Sequence, residues 1–226
     1  MKNRSKESKE ILHSIYHKLY HAFGPQHWWP GDTPFEIAIG AILTQNTNWT
    51  NVEKAIQNLK RSKALSVRAL DTMPVRVLAD LIRPSGYFNI KAKRLKSFIT
   101  FLKNDYHRSM KKMKNKDIVS LRKELLSIHG VGSETADSIL LYALDKPVFV
   151  IDAYTKRVLS RHGIMDNKDS YDTFQEFFHS ALKKDVQMFN EYHALFVRVG
   201  KTFCKQQKPL CDECPLHSLF PAVSRY

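Results

Sequence analysis

Ile128-His129-Gly130-Val131-Gly132-Ser133-Glu134-Thr135-Ala136-Asp137 is the stretch on which the fold turns. Two glycines flank one apolar residue, so the backbone there can adopt torsions closed to other residues and let another backbone come close. Upstream, Ile118, Leu121, Leu125 and Ile128 recur at helical spacing; downstream, Ala136, Ile139, Leu140 and Ala143 do the same. The turn therefore joins two amphipathic helices. Gly130, Val131, Gly132 and Ser133 lead into the second of them, where unpaired N–H groups and the positive end of the helix dipole favour an anion. A nucleic-acid phosphate can rest on such amides without any base being read. A plain glycine-capped helix connection has the same local pattern, and a lone Gly-x-Gly does not separate the two.

Helical periodicity continues in both directions. Val52, Ile56 and Leu59 share a face, as do Leu95, Phe98, Ile99 and Leu102. Towards the end, Phe174, Phe177, Phe178 and Ala181 repeat the pattern, followed by Tyr192, Leu195, Phe196 and Val199. Pro25 and Pro30 close the first segment, and Arg83-Pro84-Ser85-Gly86 makes a turn. Polar residues from 104 to 116 separate two helical groups, with Lys111-Lys112-Met113-Lys114-Asn115-Lys116 reading as a solvated loop. Residues 147–151 alone read as a possible strand, and a single short strand has nothing to pair with. The expectation is an all-α protein.

Composition sets the class of partner. Against 22 acidic residues stand 36 Lys and Arg, a formal charge of +14 over 226 residues. Hydrophobic residues make up 43%, too many for a disordered basic tail. The longest apolar runs fall short of the ~20 residues that span a bilayer, so no membrane association is expected. Met1-Lys2-Asn3-Arg4-Ser5 opens no apolar export segment, which points to a cytoplasmic protein. A polyanion, nucleic acid first, fits the charge.

The hairpin does not stand alone. With Val150-Ile151-Asp152-Ala153-Tyr154-Thr155-Lys156-Arg157-Val158 it resembles the helix–hairpin–helix signature and trailing aspartate of the endonuclease III superfamily of DNA glycosylases. Ala41-Ile42-Leu43-Thr44-Gln45-Asn46-Thr47, Gly86-Tyr87-Phe88-Asn89-Ile90-Lys91-Ala92-Lys93 and Val199-Gly200-Lys201-Thr202-Phe203-Cys204 are similar to further stretches of that family, in the same order. The resemblance implies a two-domain helix–hairpin–helix DNA glycosylase fold with a central cleft crossed by double-stranded DNA. Residues 32–145 would form a helical-barrel domain bearing the hairpin. Residues 1–31 and 146–226 would form a discontinuous second helical domain, the whole acting as a monomer.

Asp152 follows an apolar segment and precedes an amphipathic one, an N-cap position. The resemblance makes it the catalytic carboxylate as well. Cleaving an N-glycosidic bond builds positive charge on the sugar, which a carboxylate stabilises, and the same group can orient or deprotonate water. In bifunctional relatives, a lysine two residues after the second hairpin glycine attacks the sugar as an amine. Glu134 occupies that position here, so the resemblance implies a monofunctional enzyme that uses water. A glycosylase/AP lyase for oxidised pyrimidines and a non-catalytic helix–hairpin–helix DNA-binding protein are the alternatives; Glu134 weighs against the first and Asp152 against the second. Adenine glycosylases of the family carry a glutamate where this chain has Ala41.

His27-Trp28-Trp29-Pro30, with Trp49 just after Gln45-Asn46-Thr47, resembles the 3-methyladenine branch. The implied base pocket is Trp28, Trp29, Pro30, Gln45, Trp49 and Lys201. A cationic alkylated purine gains cation–π attraction from aromatic faces, and selectivity arises partly in flipping a weakened base. Tryptophans that only pack a core are the plain alternative.

Three cysteines, Cys204, Cys211 and Cys214, crowd the C-terminal region, which is not a disulfide framework. Their C-x6-C-x2-C spacing matches the start of the family's C-x6-C-x2-C-x5-C motif for a [4Fe-4S] cluster, but Phe220 stands at the fourth position. Three readings stay open: the cluster is lost and Phe220 packs the loop; a cluster persists on three cysteines with His217 or an outside ligand; or zinc binds the cysteines and His217. Lys201, Lys205 and Lys208 put positive charge around the loop in each case.

Overall fold

The structure is a computed structural model that describes residues 2–28 and 31–219, with side chains from residue 6 onward. Among the described residues there are twelve α-helices and no strand. No helix among them is long and apolar enough to cross a membrane. The chain divides into two compact units, Trp29–Lys146 and Met1–Trp28 with Pro147–Tyr226.

The continuous unit is built on α2 (Pro34–Leu43), buried on nearly every side through Ile37, Ala38, Ile39, Ile42 and Leu43. Thr33 caps it by accepting the Glu36 amide, and Pro34 fits the first helical position, where no N–H is needed. Around it lie α3 (Trp49–Arg61), α4 (Val67–Thr72), α5 (Val75–Leu81) and α6 (Phe88–Tyr106). The α6 face foreseen from spacing is the buried one: Leu95, Phe98, Ile99 and Leu102 are at most 1% exposed. After α7 (Met110–Lys114), α8 (Ile118–Ser127) and α9 (Ser133–Ser138) flank the hairpin. The helix of α9 widens into a π-turn at Ile139–Ala143, which packs on α2.

Two local expectations are corrected. The lysine-rich loop contains α7, because Ser109 accepts the Lys112 amide as a cap and Met113 is fully buried beneath the charges. Residues 147–151 form no strand. Their backbone groups are met by side chains of α11 (Tyr171–Ala181) instead: the Phe149 amide donates to His179 Nε2 at 2.9 Å, its carbonyl accepts Gln175 Nε2 at 2.8 Å, and the Ile151 amide donates to the Tyr171 hydroxyl at 3.2 Å. An apolar run can thus lie inside an all-helical unit with its polar groups satisfied.

That segment belongs to the discontinuous unit, which also holds α1 (Lys2–Phe23), α10 (Ala153–Arg161) and α12 (Val186–Thr202). Its core is aromatic. Phe149 stacks on Phe178 with centroids 3.7 Å apart, and Phe189, Tyr192 and Phe196 close around them. Leu12, Ile15 and Leu19 of α1 are fully buried, and the Tyr192 hydroxyl donates to the Leu12 carbonyl at 2.8 Å.

Candidate active site

Asp152 stands where residues 147–151 lead into α10, and its own side chain starts that helix. Oδ1 accepts the Thr155 amide at 2.7 Å, while Oδ2 lies 3.6 Å from Nε2 of His193 on α12. The carboxylate side chain is 11% exposed. Burial pushes its pKa up, but His193 and the Thr155 amide together outweigh burial and hold the carboxyl below its ordinary range. The result is a pinned, ionised carboxylate on a rigid helix start.

Close packing of α10 on α12 fixes that geometry. Gly200 meets the Tyr154 ring, and a Cβ there would come within 2.5 Å of it. Arg157 donates to the Gly200 carbonyl at 3.1 Å and to the Cys204 carbonyl at 2.7 Å. Lys201 follows, exposed, in the last turn of α12.

The cysteine loop lies beyond. Cys204, Cys211, Cys214 and His217 line one small pocket with Arg161, His162 and Phe203. Successive three-residue turns put Cys211, Cys214 and His217 in line, since the Cys214 amide donates to Cys211 and the His217 amide to Cys214. Arg161 donates to Cys204 Sγ at 3.4 Å and to the carbonyls of Lys205 and Gln206. Burial raises the Cys214 thiol. The chain has three cysteines in all, and Phe220 lies outside the described residues. Among the described residues no group of three or more His, Cys, Asp or Glu is arranged to hold a metal ion. The donors present do not fit a four-thiolate cluster, although His217 Nδ1 is buried in the same pocket without a hydrogen-bond partner.

In the continuous unit the hairpin is a tied structure. Gly130 has φ +84°, and a Cβ on it would fall 2.3 Å from Arg94 Cγ, so only glycine fits. Gln45, just past α2, donates from Nε2 to the Gly130 carbonyl and to Thr135 Oγ1, each at 2.9 Å. Its Oε1 accepts from Arg94. Arg122 of α8 forks onto the fully buried Asp137 of α9 at 2.7 and 3.0 Å, clamping the two hairpin helices. Val131 turns inward at 6% exposure, while Gly132 and Glu134 are exposed. Below, the buried Lys91 donates to the carbonyls of Leu43 and Ser85 at 2.8 and 2.6 Å, holding the end of α2 from which Gln45 projects. Trp49 lies against Gly40 of α2. Trp28 is half-buried in the other unit; Trp29 and Pro30 lie outside the described residues.

The sequence pattern brought forward Asp152, Gln45 and the hairpin, but not His193, Arg94, Arg157 or Arg161. His193 carried a weak signal, a titratable residue inside the apolar stretch Tyr192–Phe196. The arginines carried none, because each bonds a partner more than 40 residues away in sequence.

Residues 39–184 match the model of the HhH-GPD superfamily of base excision DNA repair proteins. A Methanocaldococcus jannaschii protein described as a DNA repair glycosylase is 50% identical over 213 residues, covering 93% of this chain and 96% of its own. Among solved structures, the Helicobacter pylori 3-methyladenine DNA glycosylase bound to 1,N6-ethenoadenine is similar, at TM-score 0.73 and 30% identity over 86% of this chain and 97% of its own. A trapped endonuclease III–DNA covalent intermediate shares the fold at TM-score 0.81, with 23% identity over 94% and 95% of the two chains.

Proposed function

The chain belongs to the HhH-GPD superfamily of base excision DNA repair proteins, and from that premise we propose that it is a monofunctional DNA glycosylase that releases alkylated purines by hydrolysis. The observation that carries this reading is the Asp152 carboxylate, pinned at the start of α10 and held ionised despite burial.

In the reaction, the bond from C1′ to the base nitrogen breaks with its electron pair leaving on the base. An alkylated purine arrives positively charged and departs neutral, so little general acid is needed. Asp152 faces the cationic sugar and stabilises it. The oxygen of a water bonds to C1′ and its proton passes to the carboxylate. Glu134, exposed in the first turn of α9, offers no amine for a Schiff base, which supports water as the nucleophile.

Holding the DNA falls to the amides of Gly130, Gly132 and Ser133, since the Val131 amide donates to the Ile128 carbonyl at 3.0 Å, with Lys201, Lys205 and Lys208 adding sequence-blind charge. Gln45 and Trp49, both beside α2, are proposed to contact the extruded base. Likeness to the 3-methyladenine glycosylase supports the purine preference. No step of this mechanism passes through the cysteine loop.

The test is a lesion panel. Methylated, oxidised and deaminated duplexes are incubated with the protein, with and without borohydride. Release of methylpurines with no trapped adduct is expected; oxidised-pyrimidine release with a robust covalent adduct would overturn the reading.

A further inference from the structure

Among the described residues, His193 is the titratable side chain set against the candidate carboxylate, and the family likeness assigns it nothing. It sits in the middle of α12, 6% exposed, in a run otherwise made of apolar residues. A histidine there gives up hydration without gaining packing over leucine, so its place needs a reason. The reason lies across the helix pair. Oδ1 of Asp152 is committed to the Thr155 amide, and the remaining oxygen, Oδ2, points to His193 Nε2 at 3.6 Å.

We propose that His193 is a positioning residue for base release, its Nε2 set against Oδ2 of the buried Asp152 carboxylate and fixing that oxygen toward the reacting sugar. The inference rests on the reading of Asp152 as the carboxylate that faces the sugar.

Other charged groups on the surrounding elements are engaged elsewhere. On α10, Lys156 donates to the Asp169 carbonyl and Arg157 to the carbonyls of Gly200 and Cys204. On α12, Glu191 accepts the Gln26 amide, and Arg198 and Lys201 are exposed. On α1, Tyr16 is coupled to Glu191, and His13 stacks with His17. On α11, His179 accepts the Phe149 amide. The field at Oδ2 is therefore governed by His193 and by the start of α10.

The sign of the effect follows. An ordinary aspartate takes up its proton at about pH 3.9. His193 opposes protonation of Asp152, because its interaction with the carboxyl lowers that group's pKa. Burial acts the other way and raises the carboxyl. Without His193, burial is less opposed and Asp152 protonates at higher pH.

The experiment compares the wild type with His193→Gln, which keeps an N–H donor near Oδ2 but cannot carry charge. The Asp152 carboxyl carbon is followed by NMR from pH 7.5 down to the acid limit of folding, its signal identified by its loss in Asp152→Asn. Single-turnover release of methylpurines is measured over the same range. Expected are an Asp152 titration displaced upward by about one pH unit in His193→Gln, an acid limb of the rate displaced with it, and DNA affinity within about threefold of wild type. An unchanged Asp152 titration would overturn the inference, whatever the rates do. A displaced titration with no methylpurine release from either protein would instead leave the pair standing and contradict the functional reading. If His193→Gln fails to fold, His193→Asn takes its place, with the same displacement expected and the same unchanged titration overturning the inference.

Discussion

Gln45 is bonded to the Gly130 carbonyl at 2.9 Å, so the end of α2 and the hairpin 85 residues later form one local structure. The Arg94 side chain closes the arrangement, lying under Gly130 and donating to Gln45. The hairpin is thus held in shape before any DNA arrives, which spares the ordering cost that a mobile loop would incur on binding.

The two hairpin glycines serve different ends. Gly130→Ala places a methyl against Arg94 in a left-handed conformation and is expected to cost about 2 kcal/mol or more of stability. Gly132 has φ −95° and open space where a Cβ would sit. Gly132→Ala is expected to unfold within about 1 kcal/mol of wild type yet bind duplex DNA several-fold more weakly, because the methyl stands between the amides and a phosphate. Denaturant melts and fluorescence anisotropy separate the two effects; equal DNA affinity for Gly132→Ala and wild type would remove phosphate binding from this turn.

Arg122, partly exposed, forks onto the fully buried Asp137 carboxylate. Arg122→Met removes two charge-assisted bonds to the fully buried Asp137 carboxylate and is expected to cost about 2–4 kcal/mol. Thermal unfolding measures it, and a change under 1 kcal/mol would mean that the pair does not clamp α8 to α9.

Lys91 predicts a pH effect of opposite sign to that of a paired lysine. Burial, aided by Arg94, brings its pKa down from 10.5 to about 8. A neutral amine still has two N–H groups for the two carbonyls it serves. Between about pH 8 and 10.5 the unfolded chain carries one more proton here than the folded chain, so this residue makes stability rise with pH across that window. Lys91→Met abolishes the rise and leaves the Leu43 and Ser85 carbonyls unsatisfied, costing about 2–5 kcal/mol at neutral pH. Urea titrations of both proteins from pH 7 to 10.5 provide the check; parallel profiles would contradict it.

Much of the helical layout was legible because amphipathic spacing reports burial directly, as the faces through Phe98 and Phe178 show. The N-cap position of Asp152 was legible for the same reason, a short polar residue between an apolar run and a helix. What escaped depends on contacts distant in sequence. Residues 147–151 look like a strand until Gln175 and His179 are seen serving their backbone. His193 passes for a chance polar residue on an apolar helix until Asp152 is placed opposite it. Lys91, within a stretch flagged for its resemblance, gave no sign that its ammonium is buried under α2. The lysine-rich segment hid a helix because one buried Met113 is too little to make a pattern.

On the proposed reading, Asp152 carries base release while other groups hold the DNA. Single-turnover release of methylpurines, measured beside duplex affinity for wild type and Asp152→Asn, addresses it most directly. Asparagine still caps α10 through its side-chain oxygen, so the fold is retained while the charge is lost. A rate reduced by about 100-fold or more is expected, with DNA affinity unchanged or raised. A variant that releases base within about threefold of wild type would contradict it.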